Sequence, residues 1–438
     1  MKSIKFEKTL FLFIASLVVC FAACEYDGPE AVWQPDEQGT AKPVISSIEP
    51  ADSAVAGDFT ITLVGENFSD VLSENIVTVS VVKNFYAVAN GTGGTIYDVT
   101  QANIKEASPT SLLISRPAII GDSLLIKCAV RNAYQIETYP SPYKLTAVSK
   151  EYTRLATGES INAMAMDNQG NMYIYLANKI IDIVSTDGER TQYSDAGIAA
   201  VVDMKMGPGG NLYVTRNRNS GLYNIAPDGT SEKIDDFPDK ISYFDFDENG
   251  NIIAAGRESN LIIRNPDGLY KTVGDYEEFE VTCLRYFNGY VYVFANYRGD
   301  LTDVPVVAIW RSKIISASGD IPLDAEAKEL VLDWSQAGDD FSDSQIKDMA
   351  FSSIESGGDL FITTDNGTVD GDTSIDPILM IHQDGSMEPL YKGGMLDPGS
   401  DKVIWDSAQA MYYYNSVNGN VMKLGMKRDG APYYGRSL

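Results

Sequence analysis

One stretch of sequence returns every 40 residues. MAMDNQGNMYI begins at Met164, MKMGPGGNLYV at Met204, FDFDENGNIIA at Phe244 and LRYFNGYVYVF at Leu284. Two looser copies follow, MAFSSIESGGDLFI from Met349 and VIWDSAQAMYYY from Val403. A second marker keeps step with the first: Asp187-Gly188, Asp228-Gly229, Asp267-Gly268, Ser318-Gly319, Asp384-Gly385 and Asp429-Gly430. A sustained period outranks any local motif, because each unit must bury its apolar face against its neighbours.

The parts of each unit are the same. An alternating apolar strand comes first, carrying Met164 and Met166, Met204 and Met206, or Phe244 and Phe246. A tight Gly-Asn-type turn follows, as a hairpin requires. A second strand is rich in Tyr, Val and Ile, a third ends at the Asp-Gly turn, and a fourth is more polar, as in ERTQYSD and SEKIDDF. Four-stranded units of about 40 residues are the signature of propeller blades. The sequence therefore predicts a six-bladed β-propeller over residues 150–438, and its repeats resemble the NHL-type propeller family. EYTRLATG, residues 151–158, looks like a fourth strand placed before the first blade, so it is expected to close the ring by completing the last one.

Residues 42–148 read as a separate all-β domain. Short β-branched runs bounded by turns, such as NIVTVSVV and DSLLIKCAVRN, suggest a sandwich. In GDFTITLVGENF, Phe59, Ile61 and Leu63 alternate with Thr60, Thr62 and Val64. Pro43, Ile45, Ile48 and Pro50, followed by Gly57, Ile61, Thr62, Leu63, Gly65, Asn67 and Phe68, resemble the opening strands of the IPT/TIG family of immunoglobulin-like domains. In secreted bacterial proteins that resemblance implies a spacer or platform. The fold class expected for the chain is all-β: an N-terminal immunoglobulin-like sandwich followed by the propeller.

The N-terminus carries an address. Lys2, Lys5 and Lys8 precede an uncharged apolar run from Thr9 to Phe21. That run is too short to span a bilayer, which needs about 20 apolar residues, but has the length of a signal-peptide core. Phe21-Ala22-Ala23-Cys24 resembles the lipobox of bacterial lipoproteins, which implies cleavage after residue 23 and lipid on Cys24. Residues 24–41 hold Glu25, Asp27, Glu30, Asp36 and Glu37 with Pro29 and Pro35, and read as an acidic, solvated tether. That stretch resembles the surface-export signals of Bacteroidota lipoproteins. The expected location is the outer membrane at the cell surface, held by the N-terminal lipid alone. A net charge of −27, made more acidic still by loss of the leader, repels nucleic acid and other polyanions. Beyond the leader and Cys24, Cys128 and Cys283 fall in different domains and in apolar strands, so each is expected to be a free core thiol.

Propeller turns after the first and third strands share one face, and those after the second and fourth share the other. Here the second face holds the long connections: residues 295–305, 333–345, 363–376 and 393–402. Long loops on a rigid scaffold are where recognition tends to live. The expected ligand-binding residues are Trp334, Tyr297, Arg298, Asp300, Phe341, Asn296, Asn366 and Tyr276. Aromatic rings offer a face to a sugar ring, and Asn offers a donor and an acceptor together. The alternative for the aromatics, with Phe279 among them, is that they anchor their loops. Asn178, Asn217, Asn260, Asn296, Asn366 and Asn415 recur in the second-to-third-strand connections, several beside Arg216, Arg218, Arg257 or Arg298. Asn is also a common turn residue.

No catalytic residue stands out. The single histidine, His382, falls in a predicted third strand, where a packed or rim role is expected. A glycosidase needs two facing carboxylates, and no motif selects a pair. No metal or cofactor is expected, although DNGTVDGD, residues 365–372, has oxygens enough for a structural Ca²⁺. Lipobox, acidic tether, IPT/TIG-like domain and lectin-sized C-terminal domain together resemble Bacteroidota surface glycan-binding lipoproteins of the SusE-position type. The resemblance implies a non-enzymatic role: capturing a neutral polysaccharide, for instance a fructan or glucan, beside a SusC-like TonB-dependent transporter, a SusD-like protein and a surface endo-glycanase. The alternatives are a protein–protein scaffold on the outer membrane and a propeller polysaccharide hydrolase or lyase.

Overall fold

A computed structural model describes residues 39–432, apart from 88–92, 196, 258, 339–340, 342, 366–376, 392–393 and 407–408. The leader, Cys24 and most of the tether lie outside the described residues, as do Asn366 and most of the DNGTVDGD loop. The described residues form strands, turns and short 3-10 segments. After residue 148 they make six sheets, each built on four antiparallel strands.

The first five blades run in chain order from an innermost strand outwards. Their innermost strands are Ile161–Met166, Val201–Met206, Tyr243–Phe246, Phe279–Phe287 and Ile346–Phe351. Blade six has Lys402–Trp405 innermost, and its outermost strand is Ser149–Arg154, from before blade one. Lys150 pairs with Lys423 and Arg154 with Asn420, so the chain closes its own ring as the sequence implied. The six innermost strands contact each other in a closed circle around the axis.

Alternation along these strands sets the packing. Met164 and Met166 face back into the core shared with Ile404, Tyr412 and Tyr414 of blade six. Ala163 and Ala165 face forward, against Met204 and Met206 of blade two. The repeated Met and Phe residues are thus inter-blade packing, and the residues between them look toward the next blade and the axis. The turns are built locally. Asp167 Oδ1 accepts the backbone N–H groups of Gln169 and Asn171, both at 2.9 Å, and Asp247 repeats this with Asn249 and Asn251. The last Asp-Gly marker departs from the pattern. Blade six takes its fourth strand from the N-terminal side, so Asp429-Gly430 turns across blade five, where Ala431 N–H donates to Phe351 O at 2.9 Å.

The N-terminal domain is a two-sheet sandwich. Val44–Glu49, Thr60–Glu66, Ser111–Ser115 and Ile104–Ser108 form one sheet. The other is centred on Asn75–Ala87 and Gly121–Val130. Ile61 and Leu63 fill its core with Leu112, Ile114, Val77 and Val79. Phe59, in alternation with them by sequence, leaves that core and packs on Tyr391 of blade five, with ring centroids 5.1 Å apart. Around this contact Gly57 N–H donates to the Tyr391 hydroxyl at 3.1 Å, Lys105 pairs with Glu388 at 2.7 Å and Lys427 with Asp58 at 2.6 Å. Gly57 has φ +87°, and a Cβ there would sit 2.7 Å from the Met426 carbonyl carbon, so only glycine allows this approach. The sandwich is docked on blades five and six.

Candidate functional site

Forward-facing residues of the innermost strands line the central channel in two tiers. The first is Ala163, Asp203, Tyr243, Cys283, Asp348 and Lys402; the second is Ala165, Lys205, Asp245, Arg285, Ala350 and Ile404. Three acids and three bases share this space. Burial of that many charges is tolerable only if they are paired and hydrogen-bonded.

The acids meet that condition by stapling blade to blade. Asp203 accepts from Met204 N–H in its own strand and from Phe244 N–H in the next, while pairing with Lys205 at 2.6 Å. Asp245 accepts from Phe246 N–H and, across to blade four, Tyr286 N–H at 2.9 Å. Asp348 accepts from Met349 N–H, from Val403 N–H in blade six, and from Arg285 Nη2 at 2.7 Å. Arg285 also donates to Met349 O at 3.0 Å, and the Cys283 thiol donates to Asp348 Oδ1 at 3.2 Å.

The electrostatics follow from burial set against partners. Burial alone would push the Asp348 carboxyl up, but Arg285, Lys402 and Lys205 hold it below the usual carboxylate range. Asp245 has no such close partner, and burial raises its carboxyl. Burial pushes the Cys283 thiol up to about 12, and Cys128 likewise, so both are inert buried thiols.

A funnel opens on the face where the innermost strands end. It narrows to a cavity of about 70 Å³ between Met166, Met206, Tyr286, Phe351, Trp405 and Pro432, with Lys205, Asp245 and Arg285 at its base. The apolar walls and few convergent polar groups are those of a ligand site. The residues at its rim come from first-to-second-strand turns and from the turn across blade five. This is the face opposite the long loops.

The aromatic residues expected to form a platform on the long-loop face do not do so. Trp334 is 3% exposed, with its indole N–H donating to Ser344 O at 2.9 Å, and Phe341 is 2% exposed. Both fill the core between blades four and five. Tyr276 is fully buried, with its hydroxyl 3.1 Å from that of Ser312, and Tyr297 hands its hydroxyl to Glu278 at 3.1 Å. Phe279 lies buried between these two tyrosines. A long connection that leaves the sheet ladder needs a buried anchor, and the large rings serve as one. Of the polar residues, Arg298 is half exposed and pairs with Glu280. Asn296 pairs within blade four and is half buried, and Asp300 is exposed. Asn178, Asn260 and Asn415 accept backbone N–H bonds in their own turns or the next loop, the structural role of a turn asparagine. His382 sits between Asp359 and Glu388 at the rim of blade five, at 3.2 and 3.4 Å.

The channel tiers were missed by reading the sequence, yet a signal is there. Asp203, Tyr243 and Cys283 recur at the 40-residue step, as do Lys205, Asp245 and Arg285, interleaved with the apolar markers. Charged residues inside a buried repeat strand point to a shared polar interior.

A family model matches the N-terminal sandwich. Residues 43–143 match the IPT/TIG domain. The fold is an IPT/TIG sandwich followed by a six-bladed propeller. No curated protein matches the chain. Among solved structures, the chain is similar to an auxiliary nutrient binding protein from Bacteroides ovatus, at 12% identity and TM-score 0.47, covering 90% of this chain and 99% of that one. One from Bacteroides thetaiotaomicron has the same identity, score and coverage. A gluconolactonase from Xanthomonas campestris is similar at 12% identity and TM-score 0.47, covering 63% of this chain and 89% of that one. Among the described residues no helix is long and apolar enough to cross a membrane, and no group of three His, Cys, Asp or Glu side chains is placed to hold a metal ion.

Proposed function

We propose that the protein is a non-catalytic, lipid-anchored saccharide-binding protein of the cell surface. One sugar unit of a neutral polysaccharide, such as a fructan or glucan, enters the funnel. The observation that carries this reading is the funnel's make-up: aromatic and methionine walls over a base whose charges are already committed. Tyr286 offers an apolar face to a sugar ring, and Lys205 and Arg285 meet its hydroxyls. Hydrolysis would need two carboxylates across the sugar. Among the described residues the funnel offers one, Asp245, and both of its oxygens accept backbone N–H groups. Lipid on Cys24 would hold the protein at the outer membrane. There it would work beside a SusC-like transporter, a SusD-like protein and an endo-glycanase.

Tyr286 is the wall residue to change, because it is half-buried rather than fully buried and lies at the funnel. Tyr286→Ala is expected to weaken binding of fructan- or glucan-derived oligosaccharides by about tenfold, the worth of one aromatic contact. Calorimetry with the full chain checks this, and unchanged affinity would remove the funnel from the account.

A second reading concerns protein partners and is favoured by one surface. On the outward face of the sandwich, Ile76, Val82, Tyr97 and Val99 are 45–58% exposed, and Val82 stands directly opposite Tyr97 across neighbouring strands. Exposed apolar residues gathered on one sheet mark interaction sites. This is where the transporter complex would dock. Val99→Lys is expected to abolish co-purification with that complex while leaving saccharide binding intact; equal recovery of the complex would reject the surface.

A further inference from the structure

At the end of the channel opposite the funnel, one cation has no partner of its own. Lys205 is committed to Asp203 and Arg285 to Asp348. The Lys402 ammonium makes no hydrogen bond and no ion pair with the described residues. Burial works against its charge, while Asp348 of blade five and Asp203 of blade two favour it. Tyr243 and Lys402 hold matching positions on the innermost strands of blades three and six, so both side chains are directed toward the axis. The Tyr243 hydroxyl also makes no hydrogen bond with the described residues. Both residues are half-buried, and burial is the largest influence on the ionisation of each.

The rim above them is built of guanidinium groups. Arg218 of blade two reaches over blade three to Glu280 of blade four, with Nη2 3.1 Å from Oε1. Arg298 takes the other oxygen of the same carboxylate. Arg257 of blade three, whose backbone bridges to Glu280, adds its charge to the same carboxylate. Arg218 and Arg298 are each about half exposed, at 51% and 49%, so two accessible cations share one acid.

We propose that this mouth binds a carboxylate-bearing ligand, with Lys402 Nζ and Tyr243 Oη donating to its oxygens and Arg218 and Arg298 guiding it in. The neighbouring acids do not oppose it, because Asp203 and Asp348 are each neutralised by their own base and tied to backbone N–H groups. A polyanion would still be repelled by the wider surface, so the class is a single carboxylate: a sugar acid or a simple organic acid. The site is distinct from the funnel and stands or falls without it.

The test is calorimetric titration of the full chain at low ionic strength with galacturonate, acetate, galactose and inorganic phosphate. Galacturonate is expected to bind, more weakly as salt is added, and galactose to give no heat that Lys402→Met removes. Acetate binding as tightly as galacturonate would assign the site to the carboxylate alone; tighter galacturonate would assign it to a sugar acid. Lys402→Met is expected to weaken binding by about tenfold or more, and Tyr243→Phe by about threefold to tenfold, as loss of a charged and a neutral donor requires. Both should leave oligosaccharide affinity at the funnel unchanged. If Lys402→Met does not fold, Tyr243→Phe carries the test. No heat with either carboxylate, preference for phosphate, or parental affinity in the folded variants would overturn the assignment.

Discussion

Replacing Asp348 with alanine is expected to destabilise the propeller by about 3–5 kcal/mol, the cost of breaking a buried ion pair and leaving its cation behind. The effect is large because one carboxylate holds three blades. Arg285 and Cys283 of blade four, Met349 N–H of blade five and Val403 N–H of blade six all donate to it. Alanine would strand a guanidinium and two backbone donors beside the axis. Asp348→Asn keeps the shape and one acceptor oxygen, and is expected to lose less. The same carboxylate gives a pH dependence. Its folded pKa lies below its unfolded value of about 3.9. Its contribution is therefore fully present above that unfolded value and is lost as pH falls toward the folded one. Denaturant titrations from pH 7 down to pH 3 should show a shallower acid slope for Asp348→Ala than for the parent. Equal slopes would place the acid sensitivity elsewhere.

Trp334→Ala is expected to cost about 3–5 kcal/mol as well, through the cavity left by a buried ring. Its indole fills the core between blades four and five with Phe341, Ile309 and Leu332, and its N–H holds the 333–345 connection through Ser344 O. An exposed sugar platform would behave in the opposite way, losing affinity with its stability intact. Tyr286→Ala should show that second pattern. Thermal unfolding and oligosaccharide calorimetry on both variants separate an anchor from a contact; a stable Trp334→Ala that has lost its ligand would restore the long-loop face as the site.

The architecture was legible because repetition is physical. A unit returning every 40 residues must stack on copies of itself, and the alternation of Met164 with Met166 or Phe244 with Phe246 fixes which face does so. The closing strand was legible because a polar fourth strand stood ahead of a blade that already had one. The site was harder to read for a different reason. Ring size alone cannot tell a buried anchor from an exposed platform, so Trp334, Phe341, Tyr276 and Tyr297 looked like recognition residues when they pin loops. The channel residues come from six separate strands. Asp203, Asp348 and Lys402 belong together only once the ring has closed, and each looks like an ordinary charge in its own segment. Alternation alone does not place Phe59 either: the strand begins at Thr60, and the residue before it turns to Tyr391.

The most direct measurement is native affinity electrophoresis of the full chain in gels cast with neutral and anionic polysaccharides, followed by chromatography of the glycan after overnight incubation. The expected result is retardation by a neutral polysaccharide with its chain length unchanged. Shortened products would make the protein an enzyme, and migration unaffected by every glycan would contradict saccharide capture.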